Sequence, residues 1–248
     1  MLIALMADLH ANREAVEACL DHAEREGAHR LVFLGDVVGY GADPEWVTAT
    51  VMDRVARRGA LALLGNHDEA AIGRGHGGMN AVAEAAVAWT RTRLSAEATA
   101  FLGSLPLQAE EEDRLYVHAD ASAPARWRYV LEAEDARRSL EATEAQTTFC
   151  GHTHVPRLFG ITAATKLTSF TPVAGVPVPL LRPRQWLAVL GAVGQPRDGN
   201  PAACYGMLDT ARAELTWVRV PYDVETAAEK IRAAGLPESL ALRLQRGR

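Results

Sequence analysis

The chain alternates short unbroken apolar runs with longer stretches in which apolar residues return every three or four positions. Leu2 to Ala7 is the first run, and its length and lack of polar interruption predict a buried strand. Asn12 follows as a candidate cap for a helix over residues 13 to 26, where Val16, Cys19, Leu20 and Ala23 share one face, and Gly27 stops it. The unit then repeats as strand Leu31 to Leu34, helix Pro44 to Arg57 ended by Gly59, and strand Ala60 to Leu64. That strand and helix rhythm predicts a mostly parallel sheet. Helices are predicted near residues 80 to 93 and 96 to 103, the second capped by Ser95. A strand at Leu115 to Val117, a charged helix over 132 to 145 and a strand at Thr147 to Cys150 complete this half.

After about residue 156 the texture changes to prolines and short β-rich runs, at Val173 to Leu181, Trp186 to Leu190, Cys204 to Leu208 and Leu215 to Val220. These predict antiparallel strands, with Ala211 to Glu214 a turn between the last two and helices near 224 to 234 and 237 to 245 at the end. No Ser/Gly-rich linker or repeat divides the halves, so residues 1 to 248 are expected to form one α/β domain with two β-sheets.

Composition narrows the function classes. A 48% hydrophobic and 23% charged chain of 248 residues can bury a real core. No run of about 18 apolar residues exists, and MLIALMADLH lacks a basic leader with a cleavage site, so a cytoplasmic protein without membrane contact is expected. Cys19, Cys150 and Cys204 are distant and odd in number, which predicts buried free thiols rather than a disulfide framework or thiolate metal site. The net charge of −5 argues against nucleic acid as a partner.

Chemistry-bearing residues collect just past the strands. The first strand is followed by Asp8 and His10, the second by Asp36, the third by Asn66, His67 and Asp68, and later strands by His118 and by His152 and His154. Five of the eight histidines occupy such positions; His22, His29 and His76 lie elsewhere. Since the carboxyl ends of parallel strands line one rim, all these side chains could reach one cleft. Imidazole, carboxylate and amide oxygen without thiolate suit manganese, iron, zinc, nickel or magnesium. The set is too large for one tetrahedral ion and fits a pair about 3.5 to 4 Å apart sharing a carboxylate. Asp36 is the natural bridge, because its strand should lie between the first and third.

In order, Asp-x-His, Gly-Asp, Gly-Asn-His-Asp, His and Gly-His-Thr-His resemble the pattern of the calcineurin-like metallophosphoesterase superfamily. LGDVVGYGADP and VGQPRDG (193 to 199) are similar to its small bacterial and archaeal phosphodiesterase/phosphatase branch. The resemblance implies a four-layer αββα sandwich of two mixed sheets flanked by helices. It implies Asp8, His10, His154 and Asp36 on one divalent cation and Asn66, His118, His152 and Asp36 on a second, manganese first among the candidates. It further implies in-line attack on a small phosphate ester by a hydroxide between the ions, with His67 serving the leaving oxygen and Asp68 orienting it. The ester would be a phosphodiester or small phosphomonoester; a protein or nucleotide phosphomonoesterase, including a dinucleoside polyphosphate hydrolase, is the alternative.

The chain departs from the branch where Val189, Leu190, Gly191 and Ala192 replace Asn-Pro-Gly-Ser, and in HADASAPARWRYV after His118. Trp127 and Tyr129 in the latter could shape the pocket, with core packing the expected use, and Arg197 either clamps phosphate or sits in a solvated turn, so it stays outside the expected site. A scaffold protein with a decayed site is the competing reading from another class, and the intact ligand set weighs against it.

Overall fold

The computed structural model describes residues 1 to 75 and 78 to 248, so His76 lies outside the described residues. The N-terminal half follows the periodicity closely. Strand β1 (Leu2–Met6) leads to helix α1 (Arg13–Arg25), with the Asn12 side chain accepting the Ala15 N–H as its cap and Ala15, Val16, Cys19, Leu20 and Ala23 buried. Then come β2 (Arg30–Phe33), α2 (Pro44–Arg58, closed by left-handed Gly59) and β3 (Leu61–Ala62). Helices α3 (Asn66–Ala71), α4 (Ala81–Arg91) and α5 (Ala96–Ser104) follow, α5 capped by Ser95. Next are β4 (Gln108–Glu111), β5 (Arg114–Val117), α6 (Ala133–Glu141) and β6 (Thr147–Cys150).

The second half holds β7 (Arg157–Ile161), β8 (Leu167–Phe170), β9 (Val178–Pro179), β10 (Gln185–Val189), β11 (Ala203–Asp209) and β12 (Glu214–Val220), then α7 (Val224–Ala233) and α8 (Glu238–Arg246). Two expectations are corrected here. The strand expected over 173 to 181 is only two residues long, because Pro172, Gly175, Pro177 and Pro179 deny the ladder its donors and regular backbone. Nor is this half wholly antiparallel, since β10 runs parallel to β6 and antiparallel to β7.

Two six-stranded mixed sheets result, ordered β3-β2-β1-β11-β12-β9 and β4-β5-β6-β10-β7-β8. Their inner faces meet over Ile3, Leu5, Val32, Tyr116, Phe149, Trp186 and Trp217, with the Tyr116 and Phe149 rings stacked at 5.7 Å. Outside the first sheet, α1 and α2 bury Val16, Cys19, Val47 and Val51 against Met6, Phe33 and Tyr205. Outside the second, α6 buries Ala136 and Leu140 against Val117, Phe159 and Leu187. The architecture is the helix, sheet, sheet, helix sandwich. All three cysteines are free and buried. Among the described residues, no helix is long and apolar enough to cross a membrane.

The arrangement brings parallel strands β1, β2 and β3 of one sheet and parallel strands β5 and β6 of the other to finish at the same end. There the sheets touch. A side chain on Gly151, just past β6, would stand 2.5 Å from the Ala7 Cβ, so glycine is what allows the two strand ends to approach.

Candidate metal centre

All nine side chains expected at the site lie at this end, on turns whose backbone is unusual. Asp8, His10, Asp36, His152 and His154 have φ of +56°, +48°, +52°, +66° and +61°. A left-handed conformation costs a residue with a side chain roughly 1 to 2 kcal/mol, and such strain gathers where a site needs it. The surrounding hydrogen bonds hold these turns: Asp8 N–H donates to Gly35 O (3.1 Å), His10 N–H to Asp36 O (2.9 Å) and Gly194 N–H to Asp8 O (2.8 Å). Across the sheets, the His152 N–H donates to the Asp8 carboxylate at 2.9 Å.

Two groups of ligand-type atoms form, each within 4.8 Å: Asp8, His10, Asp36 and His154, and Asp36, His118 and His152. Asp36 belongs to both. Its Oδ2 stands 3.6 Å from His10 Nε2 and 3.4 Å from His118 Nε2, while Oδ1 accepts the His67 N–H at 2.8 Å. Asn66 joins the second group through Oδ1, 3.2 Å from His118 Nε2. All seven of these side chains but Asn66 are buried.

The four imidazoles fit a divalent cation by their tautomers. Nδ1 of His10, His118 and His154 lies 3.2, 2.7 and 2.6 Å from the carbonyls of Val38, Leu34 and Gln195, and His152 Nε2 lies 2.9 Å from the Trp127 carbonyl. A carbonyl only accepts, so each of those nitrogens carries the proton and the other faces inward with a lone pair. His10 Nε2 then meets His154 Nε2 at 3.1 Å, and His118 Nε2 meets His152 Nδ1 at 3.2 Å. Two lone pairs at that distance need a cation between them. Without one, protonation does part of this work: burial lowers the His118 basicity, but Asp36 outweighs it and lifts the group to about 9. Burial pushes Asp36 up, and the pull of His118, His67 and His10 more than reverses this, holding it well below the ordinary range. Burial lowers His152 to about 3 and His10 well below its usual value.

His67 and Asp68 are placed together, with no hydrogen bond between their side chains among the described residues. The Asp68 carboxylate accepts the Val38 N–H through Oδ1 and the Gly65 N–H through Oδ2, each at 3.0 Å. Asp68 thus caps α3 and ties it to the turn after β2. His67 Nδ1 is buried among the described residues without a hydrogen-bond partner, beside Gly39, where a Cβ would stand 2.5 Å away. Burial, opposed by Asp36, lowers His67 to about 4, so its ring is neutral at pH 7. Burial and the neighbouring Asp36 raise Asp68 to about 7. The two hydrogen bonds that Asp68 accepts fix the backbone of the turn on which His67 stands.

Three residues outside the expected set also belong here. Trp127, in a left-handed conformation (φ +52°), offers its carbonyl to His152 and donates its indole N–H to Glu69 Oε2 at 2.8 Å. Tyr129 stacks on the His152 ring at 4.1 Å and 13°. Both therefore serve the site and not the core. The Arg197 guanidinium lies 5.6 Å from the Tyr40 ring, donates from Nε and Nη2 to Gln195 Oε1 at 3.3 and 3.0 Å, and has no acidic partner among the described residues. The Tyr40 ring in turn packs 4.3 Å from His67 and 4.6 Å from His10.

A family model described as the calcineurin-like phosphoesterase superfamily domain matches residues 1–213. An uncharacterized protein of Methanocaldococcus jannaschii is 32% identical over 254 residues, spanning 100% of this chain and 98% of its own. The crystal structure of a metallophosphoesterase from Sphaerobacter thermophilus is similar at a TM-score of 0.88 and 35% identity, over 100% of this chain and 99% of that one. A hypothetical protein from Pyrococcus horikoshii shares the fold at a TM-score of 0.79 and 17% identity, over 100% and 98%.

Proposed function

Because the chain belongs to the calcineurin-like phosphoesterase superfamily, we propose that it hydrolyses a phosphodiester or small phosphomonoester at two divalent cations, manganese being the first candidate. Asp8, His10 and His154 would hold one ion and Asn66, His118 and His152 the other, with Asp36 common to both. The observation that carries this reading is the pair of inward-facing imidazole couples, each ring fixed by a backbone carbonyl and both bordered by one carboxylate. Bound there, such cations acidify water and neutralise charge on phosphoryl oxygens.

The chain's own residues supply the rest. His67 enters neutral and offers an N–H to the departing oxygen, whichever ester is taken. Arg197, with no acidic partner among the described residues and held in place by Gln195, presents its fork to non-bridging phosphoryl oxygens. Backbone strain at five of the proposed ligands weighs against a decayed scaffold, since nothing would maintain it there without a use.

The test is metal analysis with turnover of bis(p-nitrophenyl) phosphate and p-nitrophenyl phosphate under manganese, nickel, zinc and magnesium. About two ions per chain are expected, with hydrolysis abolished by a chelator and restored by added metal. Chelator-resistant hydrolysis, or a protein that takes up no metal, would overturn the proposal. Arg197→Ala is expected to lower kcat/KM by about 10- to 100-fold, the worth of a charged hydrogen bond of roughly 1.5 to 3 kcal/mol. Metal content should stay at the parent level, and an unchanged kcat/KM would remove Arg197 from the site.

A further inference from the structure

Of the five imidazoles at the centre, those of His10, His118, His152 and His154 are each fixed by a backbone carbonyl, and that of His67 is not. Its Nδ1 is buried without a hydrogen-bond partner among the described residues. The torsion that turns a histidine ring is broad and roughly two-fold, so a ring without such a bond keeps one orientation only if its surroundings hold it. Orientation decides its use here. Nδ1 is enclosed by protein, and donation to the departing oxygen requires the other nitrogen, Nε2, to point at that oxygen. What holds His67 is therefore a matter of packing.

The turn after β2 supplies that packing. Gly39, at φ +92°, lays its backbone against the ring, where a Cβ would stand 2.5 Å from Nδ1 and 3.0 Å from Cγ. Tyr40 follows in a left-handed conformation (φ +62°), and its ring lies 4.3 Å from the His67 ring at 55°. His10 closes another side, edge-on at 4.9 Å and 85°. Tyr40 is itself wedged in place. It is buried, packs 4.6 Å from the His10 ring, and shares a core cluster with Ala227 and Ile231 of α7 and Leu240 and Leu244 of α8. The Gly41 N–H ties the far end of the turn to His10 O at 3.0 Å. A positive φ is uncommon for a bulky residue and points to a use. Tyr40 is not among the proposed metal ligands, so cation binding does not account for its strain, whereas holding a ring against His67 does.

We infer that Tyr40 is the positioning residue for His67: its ring, braced by the C-terminal helix pair, holds the imidazole so that Nε2 meets the leaving oxygen. This inference rests on the hydrolase reading and adds to it a residue that acts through His67. The ring is what packs, so Tyr40→Phe should keep the function and Tyr40→Leu should lose it. On the manganese-loaded chain, kcat is measured for p-nitrophenyl and phenyl esters of the kind, diester or monoester, that the parent cleaves. Phenoxide, the anion of an acid with a pKa of about 10, needs a proton as it departs, and p-nitrophenoxide, a far weaker base, does not. Order of the His67 ring is measured separately, by carbon-13 relaxation of its C–H groups in chelator-treated protein.

In Tyr40→Leu the phenyl ester is expected to slow at least about tenfold more than the p-nitrophenyl ester, a partial loss of what a positioned acid supplies, and the His67 ring to lose order. Tyr40→Phe should stay within about threefold of the parent on both esters, with the ring as ordered as before. A merely structural role would slow both esters alike. That result, a Tyr40→Phe protein as impaired as Tyr40→Leu, or a His67 ring equally ordered in Tyr40→Leu and the parent would overturn the inference. Tyr40→Met, whose unbranched side chain refills irregular space without a ring, takes the place of Tyr40→Leu should that protein fail to fold, with the same outcomes expected. A parent that cleaves neither ester fails the hydrolase reading alone, and the order of the His67 ring then decides whether Tyr40 holds it.

Discussion

Asp36→Asn is expected to leave a folded chain whose phosphoesterase activity has fallen at least about a thousandfold, equivalent to roughly 4 kcal/mol of lost transition-state stabilisation. Asparagine is nearly isosteric, tolerates the left-handed backbone at this position (φ +52°), and can still accept the His67 N–H through its amide oxygen. The turn after β2 should therefore survive. What disappears is the single negative charge that borders both ligand groups, at 3.6 Å from His10 and 3.4 Å from His118. The same charge lifts His118 to about 9 against burial, so its loss lets that ring shed its extra proton as well. Far-UV circular dichroism should match the parent while metal content falls below two per chain. Activity within tenfold of the parent would sink the bridging assignment.

Much of this centre could be read in the chain because its ligands are placed by strand ends, and strand ends follow from hydrophobic runs. Leu2 to Ala7 and Thr147 to Cys150 announce β1 and β6, and the residues after them fall on one rim in sequence order. Helix boundaries were legible where a side chain makes the cap, as at Asn12 and Ser95. No helix is expected at α3, because the capping carboxylate, Asp68, sits inside the helix and its second oxygen answers to Val38, 30 residues away. Strand β4 carries the polar run Gln108–Glu111 on a sheet edge and gives no apolar signal. In β7, Gly160 interrupts the pattern for a tertiary reason: a Cβ there would stand 2.7 Å from the Trp186 ring across the ladder.

The remaining misses share a cause. Trp127 and Gln195 act on His152 and His154 through backbone carbonyls, which every residue possesses, so no residue type at 127 or 195 can advertise the role. The left-handed backbone at Asp8, His10, Asp36, His152 and His154 is equally silent, since none of these is the glycine that such a φ normally selects. Local preference and final conformation disagree at the ligands themselves. That disagreement is expected at a functional site, where packing and long-range hydrogen bonds override local propensity.

Gly194→Ala is expected to destabilise the chain by at least about 3 kcal/mol, combining overpacking with the loss of buried hydrogen bonds. The new Cβ would overlap the Leu9 carbonyl oxygen, stand 2.5 Å from the Leu9 carbonyl carbon and 3.1 Å from the Asp8 oxygen. These neighbours are backbone, so no rotamer change relieves the clash. The two loops must part, which breaks Gly194 N–H to Asp8 O at 2.8 Å and Asn12 Nδ2 to Gly194 O at 2.8 Å, and so disturbs both the Asp8 turn and the cap of α1. For a chain of this size each kcal/mol lowers Tm by about 2 to 4 °C, giving a drop of roughly 6 to 12 °C. Melting is measured with a chelator present, so that weaker metal binding is not counted as weaker folding. Gly199→Ala is the control: it lies in the same loop with a left-handed φ of +84° but no atom within 4 Å of its Cβ, so it carries backbone strain without a clash, about 1 to 2 kcal/mol. If Gly194→Ala melts no lower than Gly199→Ala, close approach of these two loops is not what holds the Asp8 turn in place.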